Sequence, residues 1–315
     1  MQPMLAVVQD EFGGPDVLRV AEVPAPEPAP TEILVEVAYV GVNPVDGKVR
    51  RRQSVAPWMG EFPIILGWDI VGVVRSTGLG VTRFSVGDRV YGMPRFPRAA
   101  RGYAQLATAP SRQMCLVPDG LDAARAAAVP LPATTAWQVV ADIAGVSAGE
   151  RVLVIGASGA VGRFAVQLAR HRGAEVIAVA SARRHRELDA LGVGRVHDSG
   201  SDAWQREVCG VDVAIDLVGG ETASLAVGSV RRGGLVVSLP SNNQGTLYDT
   251  ASRAGVRAVS MIVEPDRVAL ERVSALIAKG IVRVASPTVF PLSDVQDVHR
   301  LLDEGAPRGK MVLKV

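Results

Sequence analysis

One segment near the middle of the chain constrains the fold more than any other. It covers residues 152 to 184 and reads VLVIGASGAVGRFAVQLARHRGAEVIAVASARR. An apolar run, a glycine-rich turn, an amphipathic stretch and a second apolar run follow one another, which predicts a strand, a helix and a parallel strand. Such a unit requires a sheet that is covered by helices on both faces.

Further apolar runs predict that this sheet continues. They are rich in Val, Ile and Leu and are separated by helical stretches, so we expect a doubly wound parallel sheet in an α/β fold. The predicted strands cover residues 151–155, 175–180, 211–218, 234–240 and 257–263. The last of them would be an edge strand. An uncovered apolar edge favours pairing with a second copy, so we expect a homodimer.

The first 120 residues follow another pattern. Gly and Pro break them into short β-like runs, which are typical of a compact barrel or sandwich. Two helices are predicted next, in residues 121–130 and 134–145, and the tail from residue 264 predicts two helices and two strands. A chain of 315 residues has room for two domains of ordinary size.

Composition excludes several classes of function. A net charge of +2 and an aromatic content of 4% argue against a nucleic-acid binder, and the cluster Arg50 to Arg52 is expected to be a solvated loop. No membrane-spanning run or signal peptide is recognised, so we expect a soluble cytoplasmic protein. Cys115 and Cys209 stand in apolar surroundings and are expected to be reduced and buried.

The glycine-rich turn has the spacing of a dinucleotide-binding turn, with Ala157, Gly159 and Gly162 at its key positions. The absence of a side chain at Gly159 lets the backbone approach a pyrophosphate, and Gly162 lets the helix pack on the strand. The pyrophosphate would lie at the positive end of the helix. The expected contacts are Ala157, Ser158, Gly159, Ala160, Val161 and Gly162.

The end of the second strand predicts which dinucleotide is bound. A protein specific for NAD would place Asp or Glu there to bind the ribose 2′-hydroxyl. This chain has Ser181, Arg183 and Arg184 instead. A hydroxyl and guanidinium groups suit a 2′-phosphate, which a carboxylate would repel. We therefore expect the cofactor to be NADP(H).

Several stretches together resemble the medium-chain dehydrogenase/reductase superfamily, and most closely its zinc-independent quinone oxidoreductase (zeta-crystallin-like) branch. They read GVNPVDGKVR, ILGWDIVGVVRSTGLGVTRFSVGDRVYG, AAVPLPATTAWQ, GERVLVIGASGAVGRFAVQLA, DLVGG and GKMVL. The resemblance implies a GroES-like β-barrel domain of residues 1–120 and 266–315, which binds substrate, and a Rossmann domain of residues 121–265. It explains why the dinucleotide turn lies in the middle of the chain.

The resemblance also bears on metal binding. Zinc-dependent relatives carry Cys, and then a His–Glu pair, where this chain has Asn43, Trp68 and Asp69. Neither Asn nor Trp offers the ligands that Zn²⁺ prefers, so no metal is expected. The histidines show no ligand spacing, and His171, His185 and His299 are expected on helix surfaces. Without a Lewis acid, hydride donation to a quinone or an α,β-unsaturated carbonyl compound is the expected reaction.

Roles for further residues follow from the resemblance. Asn43 and Thr135 would lie beside the nicotinamide. The loops 217–220, with Leu217 and Val218, and 238–240, with Ser238 and Leu239, would hold the nicotinamide ribose and carboxamide, and Lys310 would be a further cofactor contact. The catalytic candidates are Asn43, Asp46 and Lys48, with Tyr103 as another residue that could face the cleft and no proton donor assigned. Asn43 and Asp46 could instead cap the turn before Pro44.

Two other functions remain open at this point. The same fold and hydride chemistry would serve an enoyl-thioester reductase of a polyketide or fatty-acid pathway. A non-catalytic protein that binds NADPH is the alternative from another class. Activity on enoyl-thioesters far above that on quinones would favour the first, and tight NADPH binding without NADPH oxidation would favour the second.

Overall fold

The computed structural model describes residues 3–239, 244–305 and 309–315. The chain divides into two compact units. The first ends at Thr134 and resumes at Glu264, and the second spans Thr135–Val263. The second unit is therefore built from one continuous stretch, whereas the first combines residues from both ends of the chain.

The secondary structure of the described residues alternates between strands and short helices. In chain order, the strands are β1 (Pro3–Val8), β2 (Arg19–Pro24), β3 (Glu32–Val42), β4 (Asp69–Thr77), β5 (Arg89–Gly92), β6 (Leu106–Pro110), β7 (Met114–Leu116), β8 (Arg151–Ile155), β9 (Glu175–Ala180), β10 (Arg195–Asp198), β11 (Val211–Asp216), β12 (Val230–Ser238), β13 (Arg257–Ser260), β14 (Thr288–Pro291) and β15 (Met311–Lys314). The α-helices are α1 (Pro44–Arg50), α2 (Ala123–Ala126), α3 (Pro130–Trp137), α4 (Ala160–His171), α5 (His185–Asp189), α6 (Ala203–Glu207), α7 (Glu221–Ser229), α8 (Gln244–Ala254), α9 (Arg267–Ala278) and α10 (Val295–Asp303). None of the helices in the described part of the chain combines the length and apolar character that crossing a membrane requires.

The first unit is built on two sheets whose strands are mainly antiparallel. Strands β1 and β2 form one sheet, and a larger sheet has the order β14, β15, β3, β4, β5, β7, with β6 paired to β3. Strand β15 pairs antiparallel with β3 and parallel with β14. The returning tail thus supplies two strands of the larger sheet, as the GroES-like resemblance implied.

The second unit confirms the predicted doubly wound sheet. Its six strands are all parallel and have the order β10, β9, β8, β11, β12, β13. The order reverses direction between β8 and β11, which is the topological switch point of a Rossmann fold. Buried apolar side chains from β8, β9, β11 and β12 pack with those of α7 and α8 in its core.

The border between the units lies later in the chain than the sequence predicted. The second domain was expected to begin at residue 121, but residues up to Thr134 belong to the first unit. Helix α2 packs against β3 and β4, and the Leu131 N–H donates to Asp69 Oδ1 at 2.6 Å. These contacts attach the segment to the barrel, and sequence periodicity carries no information about them.

The predicted solvated loop at Arg50 to Arg52 is wrong for its first residue. The side chain of Arg50 is fully buried, forms an ion pair with Asp303 and donates to the Gly13 carbonyl at 3.1 Å. Its third partner is His299, at 3.0 Å from Arg50 Nη1 to His299 Nδ1. His299 is also fully buried, contrary to the expectation of a helix-surface position, because α10 turns this side chain into the unit.

The two cysteines differ in a way that sequence did not predict. Cys115 is buried, and burial raises the pKa of its thiol to about 12. Cys209 is exposed, because it lies in the loop between α6 and β11 and not inside a strand.

Candidate active site

The glycine-rich turn joins β8 to α4. Gly156 has a φ of +81°, a conformation that favours glycine, and it directs the chain off the end of the strand. A Cβ at Gly162 would lie 2.4 Å from the Gly156 carbonyl oxygen and 2.7 Å from Ala157 Cα. Gly162 therefore permits the close packing of helix on turn that the sequence predicted.

Gly159 presents an open backbone surface at the start of α4. It is the N-cap residue, it is exposed, and the nearest neighbour of an added Cβ would be the Gly156 oxygen at 3.2 Å. The first N–H groups of a helix have no partner within it, and they attract anions together with the helix dipole. Ala157 is buried, and Ser158, Ala160 and Val161 are half-buried. This turn fits a pyrophosphate.

Asp216 connects two of the predicted cofactor loops, and sequence reasoning missed it. Its carboxylate is fully buried and accepts the N–H groups of Val218 and Gly219, each at 3.1 Å, and the Ser238 hydroxyl at 2.8 Å. The Leu239 N–H donates to the Asp216 carbonyl. The available signal was an acidic residue that ends an apolar strand.

The loop surfaces around Asp216 differ in exposure. Leu217 is half-buried and Val218 is exposed, while Ser238 is buried and Leu239 is half-buried. Pro240, the last residue of the predicted second loop, lies outside the described residues. Both loops follow carboxyl ends of parallel strands, which is where ligands bind in open α/β sheets.

The two arginines in the turn after β9 have different surroundings. Arg184 donates to Glu187 at 2.6 Å, and Arg163 of α4 donates to the other oxygen of Glu187 at 2.6 Å. Partial burial opposes it, but these two guanidinium groups hold the pKa of Glu187 below its usual range. Arg183 is exposed, and its guanidinium has no hydrogen bond or ion pair to any of the described residues. Ser181 is half-buried at the start of this turn.

In the first unit, Asn43, Asp69 and Lys310 form a closed ring of polar contacts. Asn43 Nδ2 donates to Asp69 Oδ2 at 2.8 Å, Lys310 Nζ donates to the same oxygen at 2.9 Å, and Lys310 Nζ also donates to Asn43 Oδ1 at 2.5 Å. Asn43 and Asp69 are buried, and the Lys310 side chain is 9% exposed. The pairing of β15 with β3 brings Lys310 to Asn43.

Asp46 stabilises the start of α1. Its Oδ2 accepts the Asn43 N–H at 2.7 Å, as a helix cap does, and its Oδ1 accepts the Gly67 N–H at 3.0 Å. Complete burial raises the pKa of Asp46 to about 7, although the Asn43 N–H and the Lys310 ammonium oppose this. Both carboxyl oxygens of Asp46 therefore accept backbone N–H groups, one from Asn43 and one from Gly67.

The other catalytic candidates of the first unit lie apart from this ring. Lys48 is half-buried on α1, and its ammonium has no hydrogen bond or ion pair to a described residue. Tyr103 is fully buried, and its hydroxyl oxygen lies 3.3 Å from His299 Nε2. The hydroxyl therefore does not face a cleft, contrary to the expectation from the sequence. Thr135 of α3 is buried.

The residues that match zinc ligands of other proteins have different partners here. Trp68 is fully buried and its indole N–H donates to the Arg98 carbonyl at 2.8 Å. Asn43 and Asp69 are held by Lys310. Within the ranges that the structure describes, no group of three or more His, Cys, Asp or Glu side chains is arranged to hold a metal ion.

Comparison with known proteins decides the family. Residues 29–141 match the family "Alcohol dehydrogenase GroES-like domain", and residues 191–313 match "Zinc-binding dehydrogenase". The quinone oxidoreductase of Rattus norvegicus is 30% identical over 332 residues, with 98% of this chain and 97% of that protein covered. The chain belongs to the medium-chain dehydrogenase/reductase superfamily, in its zinc-independent quinone oxidoreductase branch.

Two further comparisons extend this result. The solved structure of the quinone oxidoreductase from Coxiella burnetii is similar to this chain, with a TM-score of 0.93 and 31% identity, and the match covers 100% of both chains. A pikromycin polyketide synthase component of Streptomyces venezuelae is 31% identical over 308 residues, which are 93% of this chain and 8% of that protein. Proteins of the quinone oxidoreductase family bind a nicotinamide cofactor.

Proposed function

We propose that the protein is a zinc-independent oxidoreductase that uses NADPH to reduce a quinone or an α,β-unsaturated carbonyl compound. One observation carries the choice of cofactor. The turn after β9 has no acidic residue at the ribose position, and it offers the unpaired guanidinium of Arg183 beside Ser181. Arg184 is engaged with Glu187, so the proposal assigns the 2′-phosphate to Arg183.

The proposal gives the remaining cofactor contacts to residues with matching geometry. The open backbone at Gly159 and the first turn of α4 would bind the pyrophosphate. Asp216 keeps the loops at Leu217 and Ser238 in register for the nicotinamide ribose and carboxamide. NADPH supplies a hydride when it is bound. Asn43 and Thr135 are proposed to contact the nicotinamide, and Asp46 keeps the backbone of Asn43 in place.

The polar ring of the first unit supports a conjugated acceptor. Where zinc-dependent relatives have metal ligands, this chain has an amide and a carboxylate that are already bound to an ammonium group. A conjugated acceptor delocalises the charge that develops on hydride transfer, so it needs less help from a Lewis acid than the oxidation of a simple alcohol does. The proton for the product can come from water.

An enoyl-thioester reductase is the second candidate. The likeness to a polyketide synthase component over 93% of this chain favours it. We also propose that two copies associate through β13, which is an edge strand within the described part of the second unit, and that the protein is cytoplasmic. Its substrate in either case is a small molecule, not nucleic acid.

NADPH oxidation with a panel of quinones, enals, enones and enoyl-thioesters tests these functions. Turnover with quinones or enones supports the proposal. Turnover with crotonyl-thioesters far above that with quinones supports the second candidate. Tight NADPH binding in calorimetry, with no turnover on any acceptor, would instead indicate a non-catalytic protein that binds NADPH.

A further inference from the structure

The amide of Asn43 is held on both sides by opposite charges. Its oxygen accepts from the Lys310 ammonium, and its nitrogen donates to the Asp69 carboxylate. A flipped amide would place NH₂ against the ammonium and the carbonyl oxygen against the carboxylate, and both contacts would be repulsive. The orientation of this side chain is therefore fixed by charge.

The ring leaves one hydrogen-bonding group of Asn43 unused. An amide nitrogen carries two N–H bonds, and Asp69 accepts one of them. The second has no acceptor among the described residues. Because the carbonyl side of the amide contacts a cation, the amide is polarised and its N–H is a stronger donor than that of a free asparagine.

We propose that Lys310 is a positioning residue that makes Asn43 a hydrogen-bond donor to the carbonyl oxygen of the acceptor. This inference rests on the proposed function, in which Asn43 lies beside the nicotinamide. NADPH would supply a hydride to the β-carbon of the acceptor and become NADP⁺. The C=C electron pair would then form the double bond of the enolate, and the π pair of the carbonyl would move to its oxygen. The Asn43 N–H stabilises that oxygen, which then takes a proton from water.

A double-mutant cycle tests whether Lys310 acts through Asn43. With 1,4-naphthoquinone and trans-2-hexenal as acceptors, Lys310→Met and Asn43→Ala should each lower kcat by about 10- to 100-fold. The double variant should be no slower than the slower single variant. The affinity of Lys310→Met for NADPH, measured by calorimetry without acceptor, should stay within about twofold of the wild-type affinity. Lys314→Met, at the exposed end of β15, the strand that directly follows Lys310, is the matched control and should retain full activity.

Nuclear magnetic resonance gives a test that requires neither cofactor nor turnover. The chain has three asparagines, Asn43, Asn242 and Asn243, so ¹⁵N-asparagine labelling yields three side-chain NH₂ pairs. Asn43→Ala identifies the pair of Asn43. Lys310→Met should shift or broaden this pair, and Lys314→Met should leave it unchanged.

Several results would overturn the inference. Additive losses of kcat in the cycle would mean that Lys310 acts independently of Asn43, and a large loss of NADPH affinity with unchanged kcat would make it a cofactor contact. An unchanged Asn43 resonance in Lys310→Met would show that Lys310 does not hold the amide. If the wild-type protein reduces no acceptor, the proposed function fails, and the resonance still decides whether Lys310 orients Asn43.

Discussion

Arg50 Nη1 donates to His299 Nδ1 at 3.0 Å, although 249 positions of sequence separate the two residues. A guanidinium can only donate, so Nδ1 is the acceptor and the imidazole proton is on Nε2, toward the Tyr103 hydroxyl. The neutral imidazole thus joins α1, which carries Asp46 and follows Asn43, to α10 of the returning tail.

The first prediction concerns pH. Burial, with the Arg50 charge as a second cause, lowers the pKa of His299 to about 3, whereas the unfolded chain keeps a histidine pKa of about 6.5. Between these values the unfolded state binds more protons, so the stabilising contribution is complete above pH 6.5 and is lost as the pH falls. In this range His299 should contribute about 1.4 kcal/mol per pH unit to the slope of the unfolding free energy against pH.

Urea unfolding from pH 7 to pH 4.5 measures this slope. His299→Gln should reduce it, and His171→Gln, at an exposed position of α4, should not. The raised pKa of Asp46 acts in the opposite sense, since its proton favours the folded state as the pH falls below 7. That contribution is common to wild type and variants, so it cancels in the comparison. Parallel curves for wild type and His299→Gln would contradict the prediction.

The second prediction concerns Arg50 itself. Arg50→Met should lower the free energy of unfolding by about 2–3 kcal/mol, because it leaves His299 Nδ1 and the Gly13 carbonyl without their donor and leaves Asp303 with Arg51 alone. Arg52→Met removes an exposed guanidinium 5.9 Å from the Phe12 ring centroid and should cost about 0.5 kcal/mol. Chemical denaturation of both variants at pH 7 compares them, and equal losses would refute the role of Arg50.

The third prediction separates the two arginines after β9. Arg183→Ala should lower kcat/KM for NADPH by about 10- to 100-fold and leave kcat/KM for NADH nearly unchanged, because a charge-assisted bond to the 2′-phosphate is lost. Arg184→Ala should change the NADPH preference much less, since Arg184 is bound to Glu187. A wild-type preference for NADH would disprove the assignment of the cofactor.

The fourth prediction contrasts two glycines of the dinucleotide turn. Gly159→Ala should change the thermal stability little and weaken NADPH binding at least about tenfold, because its Cβ has one close neighbour, the Gly156 oxygen at 3.2 Å, and would occupy the exposed surface that a pyrophosphate would approach. Gly162→Ala should lower stability as well, since its Cβ would overlap Gly156 and Ala157. Gly228→Ala, in α7 with no atom near its Cβ, is the control for both measurements. Thermal unfolding and calorimetric titration with NADPH give the two readouts.

The sequence predicted local patterns well and long-range contacts poorly. The strand, glycine turn and helix of residues 151–171 are a local unit, and apolar spacing with glycine positions was enough to predict them. Asn43, Asp69 and Lys310 were each singled out, but no pattern indicated that they touch, because Lys310 lies 267 positions after Asn43. Arg50 and His299 were predicted to be exposed for the same reason. A polar residue is expected on the surface unless a buried partner is known.

The pairing of β15 with β3 also has a consequence for synthesis on a ribosome. The second unit is continuous, so it can fold as soon as it has left the exit tunnel. The first unit cannot complete its larger sheet at that stage, because β14 and β15 have not yet been translated. Lys310 is translated 267 codons after Asn43, so the unit proposed to bind the nucleotide can fold before the unit proposed to hold the acceptor has all its residues.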